Sequence, residues 1–141
     1  MKPILYPAGE TAFTSNGKGR LNPIMCMVTE ERNGEYELEM DISIKDRHYK
    51  DIGHGCYISA IHDDTKTLQP FKIYKITRPM DGMVTVFAKH ISYALSGVTV
   101  MPCTARNAAE ALQQLVDNAA TQHPFTAWTD KTTIANFKVD V

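Results

Sequence analysis

The sequence predicts a mainly β protein of the α+β class, with a small antiparallel β-barrel over residues 1–100 and a helix with short strands over residues 101–141. Two observations support this class. Up to residue 100, short runs alternate polar and apolar residues and are separated by turn residues, which is typical of half-buried strands. After residue 104 the apolar residues recur with the period of a helix. We therefore expect a barrel domain followed by the beginning of a second domain.

The first twenty residues contain short extended pieces at 3–6 and 11–14, with Asn16-Gly17 and Gly19 as turn residues between them. A β-hairpin is predicted next, with strands over residues 24–30 and 35–44. Asn33-Gly34 lies between these strands and predicts a type I′ turn, since both residues tolerate a positive φ. This segment thus supplies the first long strands of the barrel.

The outgoing strand of this hairpin alternates strictly. Its apolar residues fall on one face, which we expect to contact the core: Tyr36, Leu38, Met40, Ile42 and Ile44. The opposite face is acidic: Glu35, Glu37, Glu39 and Asp41.

Three further strands are predicted in the barrel. Residues 56–62 form one strand, followed by a turn at 63–66, and residues 69–77 and 83–89 form a second hairpin. Asp81-Gly82 gives this hairpin a tight reversal.

The helix is predicted over residues 104–122, where the apolar stripe consists of Ala108, Leu112, Leu115, Val116 and Ala119. Asn107 with Glu110 predicts a capping box, and Thr104 is an equally good N-cap. His123-Pro124 ends the helix, and two short strands follow at 125–128 and 134–139. Because the sequence stops within a strand-like run, we expect the second domain to be truncated and the chain to be part of a longer protein.

The net charge of −1 and the pI near 6.5 give no electrostatic reason for nonspecific binding to nucleic acid or to an anionic membrane. No apolar run is long enough to span a bilayer, and no secretion signal is recognisable, so we expect synthesis in the cytoplasm without membrane insertion by this segment. Cys26, Cys56 and Cys103 have no paired spacing that predicts a disulfide framework, and Cys26 and Cys56 are interpreted as core residues.

Candidate chemistry is sparse. His48, His54, Cys56 and His62 are close in sequence, but their spacing matches no common zinc site. Cysteine and histidine could be paired on paper as Cys103–His123 or Cys56–His90, without a local signature for either. The sequence therefore predicts no catalytic residue, no metal site and no cofactor.

Several segments together resemble the N-terminal region of the prophage tail endopeptidase family, also called tail-associated lysins or phage minor structural proteins. These segments are residues 4–6, 17–21, 28–40, 69–76 and 84–97, and the resemblance continues through the helix to residues 124–130. It implies a fold similar to the phage baseplate hub, which is a homotrimeric ring around a central channel. The implied function is that of a structural component of the tail tip, which links the tail tube to distal fibre or lysin domains.

The resemblance also implies partners and a location. The distal tail protein is the expected partner besides the chain itself, the tape measure protein is a further candidate, and DNA would pass through the ring without specific binding. The protein would be made in the cytoplasm of the bacterial host and located at the virion tail tip. An alternative is that the chain is part of a cell-wall-directed endopeptidase whose catalytic region lies outside it. A stand-alone β-barrel binding module is a third possibility.

A hub suggests a role for the acidic strand face, because a negative channel wall repels the phosphates of DNA. The candidate channel-facing residues are Glu35, Glu37, Glu39 and Asp41. The simpler interpretation is that these acids are exposed to solvent.

Overall fold

The computed structural model describes residues 2–61, 67–121 and 123–131, together with the backbone of residues 135–139. The chain divides into two compact units, Met1–Tyr93 and Ala94–Val141. The domain boundary predicted at residue 100 remains a prediction. The turn predicted at residues 63–66, and His62 before it, lie outside the described residues.

The first unit is one seven-stranded antiparallel sheet that curls into an open half-barrel, which confirms the predicted mainly β class. The strand order is β2-β1-β5-β6-β7-β4-β3, so β2 and β3 form the two edges of the sheet. Short 3-10 helices occupy Tyr49–Asp51 and Ile91–Gly97. The strands are β1 Ile4–Tyr6, β2 Gly19–Arg20, β3 Met25–Glu30, β4 Tyr36–Ser43, β5 Tyr57–Ile61, β6 Leu68–Ile76 and β7 Met83–His90.

The core lies on the concave face of this sheet and follows the alternation of the strands. Leu38, Met40 and Ile42 of β4 are buried, and each pairs with a buried residue of β7. Tyr36 is half-buried, whereas Ile44 lies beyond the end of β4 and is 39% exposed. The predicted apolar face is thus confirmed for the strand itself, and the prediction for Ile44 is wrong because the strand ends before it.

The turn between β3 and β4 differs from the predicted type I′ turn. Asn33 has a φ of 60°, but Gly34 is not among the residues with a positive φ. The amide of Glu31 donates to the carbonyl oxygen of Glu35 over 2.7 Å, so three residues rather than two separate the last hydrogen-bonded pair. The type I′ prediction at Asn33-Gly34 is therefore wrong, because the register of the strands requires a longer loop.

The tight reversal predicted at Asp81-Gly82 is confirmed. Both residues have a positive φ, 52° and 76°, as a type I′ turn requires. Met80 and Met83 exchange two backbone hydrogen bonds of 2.9 Å across it. This turn fixes the register of β7 against the end of β6.

The long connection between β1 and β2 is attached to the barrel by aromatic side chains. Tyr6 is buried, and its hydroxyl donates to the carbonyl oxygens of Ser15 at 2.6 Å and Phe13 at 3.1 Å. The ring of Phe13 packs edge-on against Tyr6 and Tyr57. Residues 11–14, which the sequence predicts as an extended piece, form no strand in this connection.

The second unit contains β8 Cys103–Asn107, α1 Ala108–Asp117 and β9 Ala135–Val139, with β8 and β9 antiparallel. The side-chain oxygen of Asn107 accepts from the amide of Glu110 at 2.9 Å, which confirms Asn107 as the N-cap.

Two sequence predictions in this unit are wrong. The helix is shorter than residues 104–122: residues 103–107 pair with β9 instead of joining the helix, and the helix ends at Asp117 with Asn118 as its C-cap, before the stop predicted at His123-Pro124. Residues 125–128 form no strand. A single sequence does not reveal a pairing partner located some thirty residues away, and the helical spacing of apolar residues continues into β8 although these residues form a strand.

Candidate functional surface

The acidic residues of β4 lie on the convex face of the half-barrel, opposite the core. Glu37, Glu39 and Asp41 alternate with buried residues and pair with Lys89, Phe87 and Thr85 of β7. Glu35 precedes the strand and is exposed. The structure therefore brings three of the four predicted channel-facing acids onto one face, and β7 and β6 decide what surrounds them.

Glu37 is neutralised by its neighbours. Its Oε2 accepts a hydrogen bond of 2.9 Å from the hydroxyl of Tyr74, and its Oε1 lies 3.4 Å from the Nζ of Lys89. The same ammonium group lies 5.0 Å from the ring centroid of Tyr74 and 5.2 Å from that of Tyr93. We call Glu37, Tyr74, Lys89 and Tyr93 the aromatic–charged cluster. It replaces the uniformly negative surface that β4 alone suggests.

A β-bulge in β6 builds one side of this cluster. The register against β7 shifts between Ile73 and Lys75, so Tyr74 is an extra residue in the ladder and is 43% exposed. In the residue after the bulge, the Nζ of Lys75 lies 4.8 Å from the ring centroid of Phe87. No pattern in the sequence indicates this bulge, which is why sequence reasoning missed the cluster.

The other two acids of β4 form no ion pair in the part of the chain that the structure describes. The Oδ1 of Asp41 accepts a hydrogen bond of 2.7 Å from the hydroxyl of Thr85. Glu39 is half-buried, and its carboxylate makes no hydrogen bond or ion pair with any described residue. Negative charge on this face is therefore concentrated at Glu39 and Asp41, next to the edge strand β3.

An open cleft of about 600 Å³ lies beside Asp41. Its polar lining comes from Asp41, Arg78 and the two threonines Thr77 and Thr85, and its apolar lining includes the highly exposed Ile24 and Met80. The hairpin turn after β6 and Ile24, which directly precedes β3, both contribute to the lining of this cleft. Its residues come from four separate segments, so the sequence alone gives no signal for it.

The second unit has an apolar cleft of about 290 Å³ beside α1. The predicted helix stripe supplies Leu112, Leu115, Val116 and Ala119, and the other residues include Leu95, Val98, Val100, His123 and Phe125. The Nδ1 of His123 accepts from the amide of Phe125, so its Nε2 carries the proton and donates to the carbonyl oxygen of Val116 at 3.2 Å. This histidine therefore acts as a structural link in the unit.

Of the two cysteines interpreted as core residues, Cys56 packs against the core and Cys26 does not. Cys26 is exposed, so its interpretation as a core residue is wrong, because β3 is an edge strand that no described strand covers. Partial desolvation nevertheless raises the pKa of its thiol to about 11, which keeps it protonated at neutral pH. Cys56 is half-buried against the core, and its thiol donates to the carbonyl oxygen of Asp51 at 3.7 Å.

Neither metal ligation nor a membrane-spanning helix finds support in the described residues. No three histidine, cysteine, aspartate or glutamate side chains among them come close enough to hold a metal ion. None of the described helices combines the length and the apolar character needed to cross a bilayer.

The phenol of Tyr74 gives a test of the aromatic–charged cluster. Burial raises the pKa of Tyr74, and the hydrogen bond to Glu37 and the charges of Glu37 and Glu35 raise it further, because ionisation would place a second anion there. We expect Glu37→Gln to lower the pKa of Tyr74 toward its ordinary value. NMR titration of the tyrosine rings measures this, with Glu10→Gln as the control, because burial and the charge of Glu10 raise the pKa of Tyr6, whereas Glu10 is not among the causes that raise the pKa of Tyr74. An unchanged pKa in Glu37→Gln would contradict the contact.

A comparison of the chain with known protein families, with curated proteins and with solved structures finds no match.

Proposed function

We propose that the chain is a structural component of a phage or prophage tail tip, part of a trimeric baseplate hub that joins the distal tail protein to distal fibre or lysin domains. In this proposal it is made in the host cytoplasm and works by assembly in the virion. The alternative, a segment of a tail endopeptidase whose catalytic region lies elsewhere in the protein, shares the same location.

The observation that carries the proposal is the open sheet. Among the described strands, β3 pairs only with β4 and β2 pairs only with β1, so each forms an edge of the sheet and has no described strand on its other side. An unpaired edge is a template for another chain, and proteins that remain alone normally block it with charges, prolines or covering segments. Here β3 instead has exposed apolar side chains beside it and on it: Ile24 is 75% exposed and Met27 51%. Such an edge suits a protein that completes its fold by assembly.

The convex face contributes a second element of the proposal. Glu35, Glu37, Glu39 and Asp41 remain the proposed channel-facing residues, because three of them share one face of β4. A negative wall would let DNA pass without holding it. Lys89 offsets the charge of Glu37, so Glu39 and Asp41 would supply most of the repulsion.

Light scattering coupled to size exclusion tests assembly. We expect the chain to form a trimer that joins the ring of the distal tail protein, and Met27→Lys to prevent it, because a charged side chain on β3 opposes pairing at an edge strand. Met101→Lys is the matched control, since Met101 is 57% exposed and lies in the second unit. A chain that never associates with the tail protein would contradict the proposal, and hydrolysis of cell-wall peptides by the full-length protein would favour the endopeptidase alternative.

A further inference from the structure

The two free edges of the half-barrel are complementary in charge on the same face. Arg20 of β2 pairs with Ile4, whereas its neighbour Gly19 pairs with Leu5, a residue of the core. Because side chains alternate along a strand, Arg20 points to the convex face. Glu39 points to that face too, since its neighbour Met40 is in the core. One edge therefore presents a cation, and the other has an anion one strand inward.

Both charges are available for an additional partner. Arg20 is exposed and makes no ion pair with a described residue, in contrast to Lys18, whose Nζ lies 3.7 Å from Asp51. The carboxylate of Glu39 also has no hydrogen-bonded or ionic partner in the described chain, although the residue is half-buried. An unpaired, half-buried carboxylate is a group whose free energy a nearby cation would lower.

We propose that β3 of one copy of the chain pairs with β2 of a second copy, head to tail, and that Arg20 of the second copy forms an ion pair with Glu39 of the first. This join rests on the proposed function and specifies the contact between copies of the hub. It assigns Glu39 to an intermolecular ion pair, and so takes that residue out of the proposed channel-facing set.

The geometry of the sheet permits this join. The sheet has seven antiparallel strands, so its two edge strands run in the same direction and the join is parallel. Met27 of β3 lies directly opposite Glu39 of β4, so an added strand would be two strand spacings, about 10 Å, from β4. Extended arginine and glutamate side chains together cover that distance. The arginine stem would then lie over Met27 and remove it from water.

Pairing with a second copy of the chain would use both edge strands of the sheet in a single type of contact. A head-to-tail contact uses two different surfaces and can be repeated around a closed ring, as a hub requires. A different partner on β3 would leave the opposite charge at Arg20 unexplained. The complementary edges of the same sheet therefore favour another copy of this chain as the occupant.

Charge exchange tests the join by sedimentation velocity of the full chain at low and high salt. We expect Arg20→Glu and Glu39→Arg each to weaken self-association by about tenfold, and the double variant to restore it to within about threefold of the original chain. Lys72→Glu is the matched control, because Lys72 is exposed on β6 in the interior of the sheet and should have no effect. Circular dichroism checks that each variant is folded.

Distinct outcomes separate the join from the proposed function. A chain that stays monomeric at all concentrations, or a double variant that remains as weak as the single ones, would overturn the join. If the chain still assembles with the distal tail protein in those cases, the hub proposal stands without it. If the single variants weaken self-association and the double variant restores it, but the chain does not bind the tail protein, the join would be supported and the hub proposal contradicted.

Discussion

Replacement of Phe71 by alanine is expected to lower the free energy of unfolding by about 3–5 kcal/mol, because it removes a large side chain from the closed part of the core. Phe71 has no exposed surface and pairs with Ile58 and His90 on the neighbouring strands. Its ring packs edge-on against Tyr36 at 5.3 Å and His90 at 5.4 Å, and these two rings stack on each other at 4.1 Å. The cavity would thus lie beside the two remaining rings, Tyr36 and His90, whose stacking on each other limits how far they can move into it.

Urea denaturation measures this effect, with Phe87→Ala as the matched control. Phe87 is half-buried on the convex face, where its ring contacts Lys75, so its truncation should cost only about 1 kcal/mol. Equal losses for the two variants would mean that the sheet does not bury its concave face as described.

Gly17→Ala is expected to lower the free energy of unfolding by about 3 kcal/mol or more, because an unfavourable backbone conformation and a steric clash coincide at this position. Gly17 has a φ of 55°, where a Cβ atom costs about 1–2 kcal/mol. A Cβ atom there would also collide with the carbonyl oxygen of Leu5, which is backbone of β1 and cannot move aside easily. The change would displace the connection that positions β2 on the edge of the sheet.

The control for this prediction is Gly9→Ala. Gly9 also has a positive φ, 82°, but no atom lies within 4 Å of the position that a Cβ would occupy. The Gly9→Ala variant should therefore lose only the free energy that comes from the unfavourable backbone conformation, about 1–2 kcal/mol, in the same thermal or urea unfolding experiment. If the two variants were equally destabilised, close approach to Leu5 would play no part, and the described path of residues 7–18 would be wrong.

Local patterns predicted the long strands well, for a definable reason. Leu38, Met40 and Ile42 are separated by single polar residues, and a strand with that period can bury only one face. The same reasoning placed Glu37, Glu39 and Asp41 together on the opposite face. Side-chain capping is also local, so the N-cap role of Asn107 could be identified from its spacing to Glu110.

Local patterns failed wherever pairing with a distant strand decided the outcome. Cys26 lies in an apolar run, and only the order of the strands shows that this run is an edge and leaves the residue exposed. Thr104 and its neighbours fit the helix period, but pairing with β9 makes them a strand. The prediction of a two-residue turn at Asn33-Gly34 is wrong because the register between β3 and β4, and not the Asn-Gly dipeptide, sets the length of the loop.

The candidate surface shows the same division. The sequence by itself determined that β4 has an acidic face and an apolar face, because alternation along one strand needs no information from elsewhere. Only the tertiary structure decided that Lys89 and Tyr74 neutralise Glu37 while Glu39 stays unpaired among the described residues, since these neighbours come from β7 and from a bulge in β6. It also decided that β2 and β3 are the free edges, because strand order depends on the pairing of all seven strands at once.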